Sequence, residues 1–337
     1  MIVVADANGV DQRALQFSEY DFEIGDDENT FLVTCLRSEW ETIYEGSRIY
    51  IPDTEYGGIF KKLQTNTKNG TISCGGFTWR GMLQNKIICP PTGEDYATDT
   101  GELNSIIRAR VSSALPNLFD GSTESTGIEV TYQYNRYVSL YDGLKAMLKS
   151  VGYKMRISYD MDTGKVIVDA VPIVDYSPEI EYSSDMNANY YMTKEGMGVN
   201  HLICLGQGEL AERVVVDLYV DENGDISQTQ TYFDEDEITQ IYDYAGASRD
   251  DLIQSGTDQL KNIRNHNSFR IDLESTKEVE IGDIVGGRDY TSGMRMTAPI
   301  TTKIVRWRNG FETTEYKLSD DVTIQLGTRL MSRKVTR

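Results

Sequence analysis

A chain of 337 residues can build two to four compact units, and its 39% hydrophobic content, spread along the whole length, excludes a disordered polymer. With 53 acidic against 33 basic residues and a formal charge of −20 it repels nucleic acid, so no sequence-specific DNA or RNA binding is expected. No apolar run approaches the length of a bilayer span, and the opening Met1-Ile2-Val3-Val4-Ala5-Asp6 lacks a basic or apolar leader, so neither a membrane-spanning segment nor a secretory signal is expected.

Aromatic residues make up 10% of the chain and Tyr alone supplies 21, which with many Val, Ile and Thr favours half-exposed strands over helices. The first ninety residues read as short strands joined by turns. Strands are expected over 30–37, 47–52, 57–67 and 71–76, the last two joined by the turn Lys68-Asn69-Gly70. Asn-Gly between alternating runs is a strong hairpin signal because both residues tolerate positive φ. Strands about ten residues apart suggest a small antiparallel barrel or sandwich. Pro90 and Pro91 then end the pattern and mark a boundary.

Leu103, Ile106, Ile107 and Val111 fall at helical spacing, and that helix stops at Pro116. A second helix fits 139–150, with Leu140, Leu144, Met147 and Leu148 on one face and Gly152 after its end. A hairpin of 153–159 and 165–171 follows, turning at 160–164, so helices and hairpin make a small α+β unit. Beyond Pro178, strands fit 200–205, 213–220 and 227–232, and Asp234-Glu235-Asp236-Glu237 suits a helix N-terminus, where carboxylates meet the positive end of the dipole. A further helix fits 248–265, capped by Ser248 with Asp251 three residues on. Strands return at 269–274, 283–285, 297–308 and 313–318. The expected division is 1–93, 94–176, 177–327 with the inserted helix, and a basic tail over 328–337 carrying Arg329, Arg333, Lys334 and Arg337.

Several signals look catalytic until their context is read. Gly206-Gln207-Gly208-Glu209-Leu210-Ala211 mimics a dinucleotide fingerprint, but the next run, Arg213 to Val220, is β-branched and alternating, so a strand follows where the mechanism needs a helix N-terminus. Asp-Thr-Gly occurs at Asp99 and Asp162, yet one lies at a helix entrance and the other in a polar turn, unlike two aspartates sharing a proton. Asp221-Glu222-Asn223-Gly224-Asp225 lacks the closing Glu and flanking helices of a calcium loop and reads as a turn. Cys35, Cys74, Cys89 and Cys204 have no metal spacing, and Cys35, Cys74 and Cys204 sit in apolar runs. His201 and His266 lack any supporting motif. No catalytic residue, metal site or cofactor is expected.

Thr78-Trp79-Arg80-Gly81 and the run from Ile87 through Pro90-Pro91-Thr92-Gly93-Glu94-Asp95-Tyr96 resemble blocks of the siphovirus ReqiPepy-type tail protein family. Gly206 to Arg213, Glu280-Ile281-Gly282-Asp283-Ile284-Val285 and the Arg308-Asn309-Gly310 turn resemble later blocks, collinear over residues 40–327. That family is similar to baseplate hubs and to the hub half of tail-associated lysozymes and secretion-system spikes. The resemblance implies a mainly β fold with an α+β insert: two tail-tube-like β-barrels plus a small α+β domain, with helices inserted. It implies a homotrimer adapting a hexameric tail tube to the tip, with tail tube or distal tail, tape measure, and spike or fibre proteins as partners. The chain would form in the host cytoplasm and finish at the tail tip of a virion or injection particle, with no enzymatic role. The lysozyme, peptidase or spike domain of longer relatives has no counterpart in the ten residues after Leu326-Gly327, whose basic character suits an acidic neighbour. Carboxylates lining the ring would let DNA slide without sticking. A glycan-binding tip using Asn187-Ala188-Asn189-Tyr190-Tyr191-Met192, or a tail-associated hydrolase, are the alternatives.

Overall fold

The structure is a computed structural model, and it describes residues 1–16, 18–26, 28–177, 181–182, 189–193, 198–221, 224–264, 268–272, 279–289, 291–292, 294–319 and 323–326. The fold is mainly β, as expected, with four α-helices among the described residues. It divides into two compact units, each discontinuous in sequence. The first takes Met1–Tyr176, Asp272–Val285 and Pro299–Leu318, and the second takes Ser177–Ile271, Gly286–Ala298 and Ser319–Arg337. A division drawn along the chain at 93 and 176 leaves residues 299–318 in the C-terminal half, whereas their contacts are with the N-terminal one.

Two antiparallel sheets of the first unit share a core. One runs, in hydrogen-bonded order, Asp11–Leu15, Ile2–Ala5, Arg48–Tyr50 and Gly57–Ile59. The other runs Phe311–Leu318, the C-terminal half of Met294–Arg308, Ser18–Gly25, Thr30–Leu36, Thr71–Phe77 and Lys62–Asn66. Side chains alternate along a strand, so Tyr20, Phe22 and Ile24 are buried on one, and Phe31, Val33 and Cys35 on its partner. They meet Ile2, Val4, Leu15 and Ile49 of the facing sheet, with Val305 supplied from the far end of the chain. A bridge between Gly58 and Thr78 links the two sheets; among the described strands the ladders do not close into a barrel.

Val3, Ala5 and Tyr50 point to the opposite face of the first sheet and join a second core. That core is built by α1 (Trp79–Gln84), α2 (Leu103–Ala114) and α3 (Leu140–Ser150) over a sheet ordered Phe119–Gly121, Lys165–Pro172, Tyr153–Asp160. Each helix begins where the sequence supplies a cap: Thr78, Glu102 and Ser139 accept hydrogen bonds from the backbone N–H of Gly81, Ser105 and Asp142. The expected face of α3 is the buried one, and Leu140, Leu144, Met147 and Leu148 each contribute roughly 1.5–3 kcal/mol by leaving water.

In the second unit, α4 (Arg249–Ile263) starts at its Ser248 cap and lays Leu252 and Leu260 on Leu202, Cys204, Val216 and Leu218. Those residues belong to a sheet ordered Ile226–Ser227, Val215–Val220, His201–Leu205, Thr239–Asp243. Shorter ladders complete the unit: Glu181–Tyr182 beside Gly286 and Gly287, Met294–Thr297 beside Thr323–Leu326, and Asn189–Thr193 beside Ser268–Asp272. The helix expected from Asp234 is a correction. A single 3₁₀ turn spans Asp234–Asp236, and a strand follows, because Ile238, Thr239, Ile241 and Tyr242 are β-branched or aromatic and pair in parallel with His201–Leu205. The strand expected over 227–232 shrinks to Ile226–Ser227, since Gln230 turns to bond Tyr232 and Glu237.

Candidate functional site

The block Thr78-Trp79-Arg80-Gly81 forms the first turn of α1, and all four residues are buried or nearly so. Trp79 stacks on Tyr159 with ring centroids 5.5 Å apart, which ties the helix to the α+β sheet. Arg80 is 4% exposed; its Nη2 pairs with Glu55 at 2.7 Å and also donates to the Met155 carbonyl, while Nη1 donates to the Tyr141 hydroxyl. Burial works against the charge on Arg80, but Glu55 and Tyr141 outweigh it and hold the guanidinium above its usual range. Gly81 lies where a Cβ would come within 2.4 Å of the Asn29 carbonyl oxygen, so the turn admits no side chain there.

The block Glu280-Ile281-Gly282-Asp283 approaches the same region from the other end of the chain. Lys154 reaches both carboxylates, at 2.7 Å to Glu280 and 2.8 Å to Asp283. Asp283 is 1% exposed, and its oxygens also accept from the backbone N–H of Val174 and Glu280. Gly282 takes φ +95°, and a Cβ on it would meet the Lys154 side chain at 2.9 Å. Burial pushes the Glu280 carboxyl up, but the hydrogen bond and charge of Lys154 carry it below its ordinary value. Between the two blocks opens a cleft of about 260 Å³, lined among others by Asp53, Glu55, Arg80, Arg156, Glu280 and Lys303.

This cleft is an ion-pair lattice. Glu55 is committed to Arg80 and Glu280 to Lys154, while Lys303 lies over the rings of Tyr56 and Tyr316. A carboxyl acting as a general acid needs its proton held near neutral pH, and Glu280 is shifted the other way. Burial raises the thiols of Cys35 and Cys204 to about 11 and of Cys74 to about 12, which leaves them protonated and poorly nucleophilic. Among the described residues no cluster of three or more His, Cys, Asp or Glu side chains could hold a metal ion.

The other sequence signals fall apart from one another. Gly206–Ala211 joins the antiparallel strands His201–Leu205 and Val215–Val220, with Gly206 and Val214 closing a backbone hydrogen bond of 2.8 Å, so a strand does follow it. Asp99 is held by Arg110 and the Tyr134 hydroxyl, whereas Asp162 sits in a hairpin turn with its N–H on the Asp160 carboxylate. Asp221 and Asp225 close a turn, with Asp221 N–H donating to the Asp225 carbonyl at 2.9 Å and Asp225 N–H to the Asp221 carboxylate at 2.8 Å. His201 opens its strand, stacks on Tyr219 at 4.3 Å and has its ring nitrogens against Asp217 at 3.0 Å and Glu237 at 2.7 Å. Cys89 is exposed. His266 and the tail 328–337 lie outside the described residues, as do Asn187 and Ala188, while Asn189–Thr193 is a strand. Sequence reading quoted Arg80, Glu280 and Asp283 as parts of blocks but missed Glu55 and Lys154. A lone Glu and a lone Lys carry no local pattern that would have found them.

No family model matches the chain, and no curated protein matches it. Solved structures do. A 43 kDa tail protein of prophage MuSo2 from Shewanella oneidensis has 12% identity and a TM-score of 0.54, the match covering 95% of this chain and 98% of that one. The prophage tail protein gp18 of Listeria monocytogenes EGD-e has 13% identity and a TM-score of 0.51 over 94% of both chains. A tail protein from Neisseria meningitidis MC58 has 12% identity and a TM-score of 0.50, covering 94% of this chain and 95% of that one. The chain has the fold of these proteins over nearly its whole length. No helix among the described residues is long and apolar enough to cross a membrane.

Proposed function

We propose that this chain is a structural subunit of a phage-like tail tip or baseplate, of the siphovirus ReqiPepy type, that works by assembly and not by catalysis. Three copies would form a ring around a channel, and with two β units per chain they would offer six modules to a hexameric tail tube. Tail tube or distal tail, tape measure, and spike or fibre proteins would be its neighbours, at the tip of a virion or injection particle. The observation that carries the reading is a fold matched over nearly the whole length of three solved tail proteins at TM-scores of 0.50–0.54. The paired carboxylates of the cleft and the protonated buried thiols support the non-enzymatic part. Three copies at −20 each give a ring of about −60, which suits a lumen that repels passing DNA. Light scattering with negative-stain imaging tests the proposal. Rings of three copies with a central hole are expected, and a compact monomer at all concentrations overturns it.

A further inference from the structure

Among the described residues the strand Thr239–Asp243 ends its sheet and pairs on one side only, with His201–Leu205. In a parallel ladder the backbone groups of alternate residues face the partner strand. Ile238 O accepts from His201 N and Tyr244 N donates to Leu205 O, so the backbone of Thr239, Ile241 and Asp243 faces outward. Asn200 anchors the entry to the strand, donating to Asp236 O at 2.7 Å and accepting from Ile238 N at 2.8 Å. Ile241, midway along it, is 64% exposed. At its N-terminal end stand Asp234, Glu235 and Asp236, exposed and in no ion pair among the described residues. An edge left unpaired among the described residues is a template for another extended segment.

We propose that this edge receives the basic tail, residues 328–337, of a second copy of the chain. Thr328-Arg329-Leu330-Met331-Ser332-Arg333-Lys334-Val335-Thr336-Arg337 holds four basic residues and no acidic one in a chain of net charge −20. Its charges complement the three carboxylates, and its ten residues, extended at about 3.3 Å each, exceed the length of a five-residue edge. The inference rests on the ring reading's premise that copies associate, and it names one contact that would join them.

The test uses the full chain carrying Arg329→Glu, Arg333→Glu and Lys334→Glu, whose own tail then cannot compete, and a fluorescent peptide of residues 328–337. Anisotropy at low salt should show saturable binding, weakened at least about tenfold by Ile241→Pro, which removes an N–H no ladder bond uses. Asp234→Asn with Glu235→Gln and Asp236→Asn should weaken it by a similar factor and remove most of its salt dependence. Melting curves confirm that these edge variants stay folded. No saturable binding, or binding indifferent to both edge changes, overturns the proposal. Light scattering should show the tail-reversed chain dissociating at higher concentration than the natural one. Trimeric rings of unchanged stability after tail reversal sink the docking and leave the ring reading standing. Edge-dependent peptide binding with tail-dependent assembly into something other than trimers does the reverse.

Discussion

Arg80 has four ties in one turn of helix: a carboxylate, a phenol, a carbonyl and the face of the Tyr141 ring at 5.9 Å. Truncating it leaves Glu55, only 17% exposed at its side chain, without its counter-charge. Breaking a buried pair from one side costs more than replacing both partners, so Arg80→Met is expected to destabilise the first unit by about 3 kcal/mol. Arg80→Met with Glu55→Gln should recover part of that loss. Urea unfolding of both variants checks this, and a double variant no better than the single one refutes the pairing argument. Gly81→Ala presses a methyl against the Asn29 carbonyl and is expected to cost about 1–3 kcal/mol, although alanine is ordinarily the better helix former. A Gly81→Ala protein as stable as the natural one would mean that the turn yields. The sequence displayed these two residues as neighbours in a block and could not display why they matter, because Glu55, Asn29 and Met155 reach them only through folding.

Local signals carried more at the scale of elements. The apolar stripe of 139–150 placed α3, and the Ser248 cap placed α4, within a residue of their starts, because a stripe and a hydroxyl cap are both written in neighbouring positions. α1 was not read as a helix, since six residues are too few to show a period. Asp234 misled for a related reason: carboxylates favour a helix start only if helix formers follow, and here β-branched residues do. Glu102 was not anticipated as the cap of α2. Its oxygens accept from the N–H of Ser105 at 2.9 Å and from the N–H and hydroxyl of Thr126 at 2.7 and 2.8 Å. Burial pushes its carboxyl up, but these donors prevail and bring it from 4.5 down to about 2. A folded value below the unfolded one means that the stabilisation is complete above about 4.5 and is lost as pH falls toward about 2. The melting temperature should therefore drop through that window, and Glu102→Gln should be less stable at neutral pH with a shallower acid slope. Parallel acid slopes for the two proteins would remove Glu102 from the account.

The whole molecule is where chain order stops being a guide. Phe22 and Tyr20 sit in a strand flanked on one side by Thr30–Leu36 and on the other by the strand ending at Arg308, nearly three hundred residues later in sequence. An alternating pattern says that a strand has a buried face, but it does not say which strands lie beside it. The break at Tyr176 falls where one was expected, but the boundary at 93 followed composition, and residues 299–318 join the first unit through pairing. The consequence is testable. In a fragment of residues 1–176 the strand Ser18–Gly25 becomes a bare edge, losing its ladder to residues 302–307 and the cover of Val305 and Trp307 over Tyr20. Lys154 loses Glu280 and Asp283 together, leaving a cation that is 7% exposed with no partner from that block. Bare edges pair with each other and unpaired buried charges are costly, so the fragment is expected to aggregate or to melt without a cooperative transition. Joining residues 279–318 to it through a flexible linker should restore both the sheet neighbour and the carboxylates, and with them a sharp melt. A fragment 1–176 that melts cooperatively as a soluble monomer, with its amide protection intact over residues 18–25, would mean that the first unit closes without the distant strands.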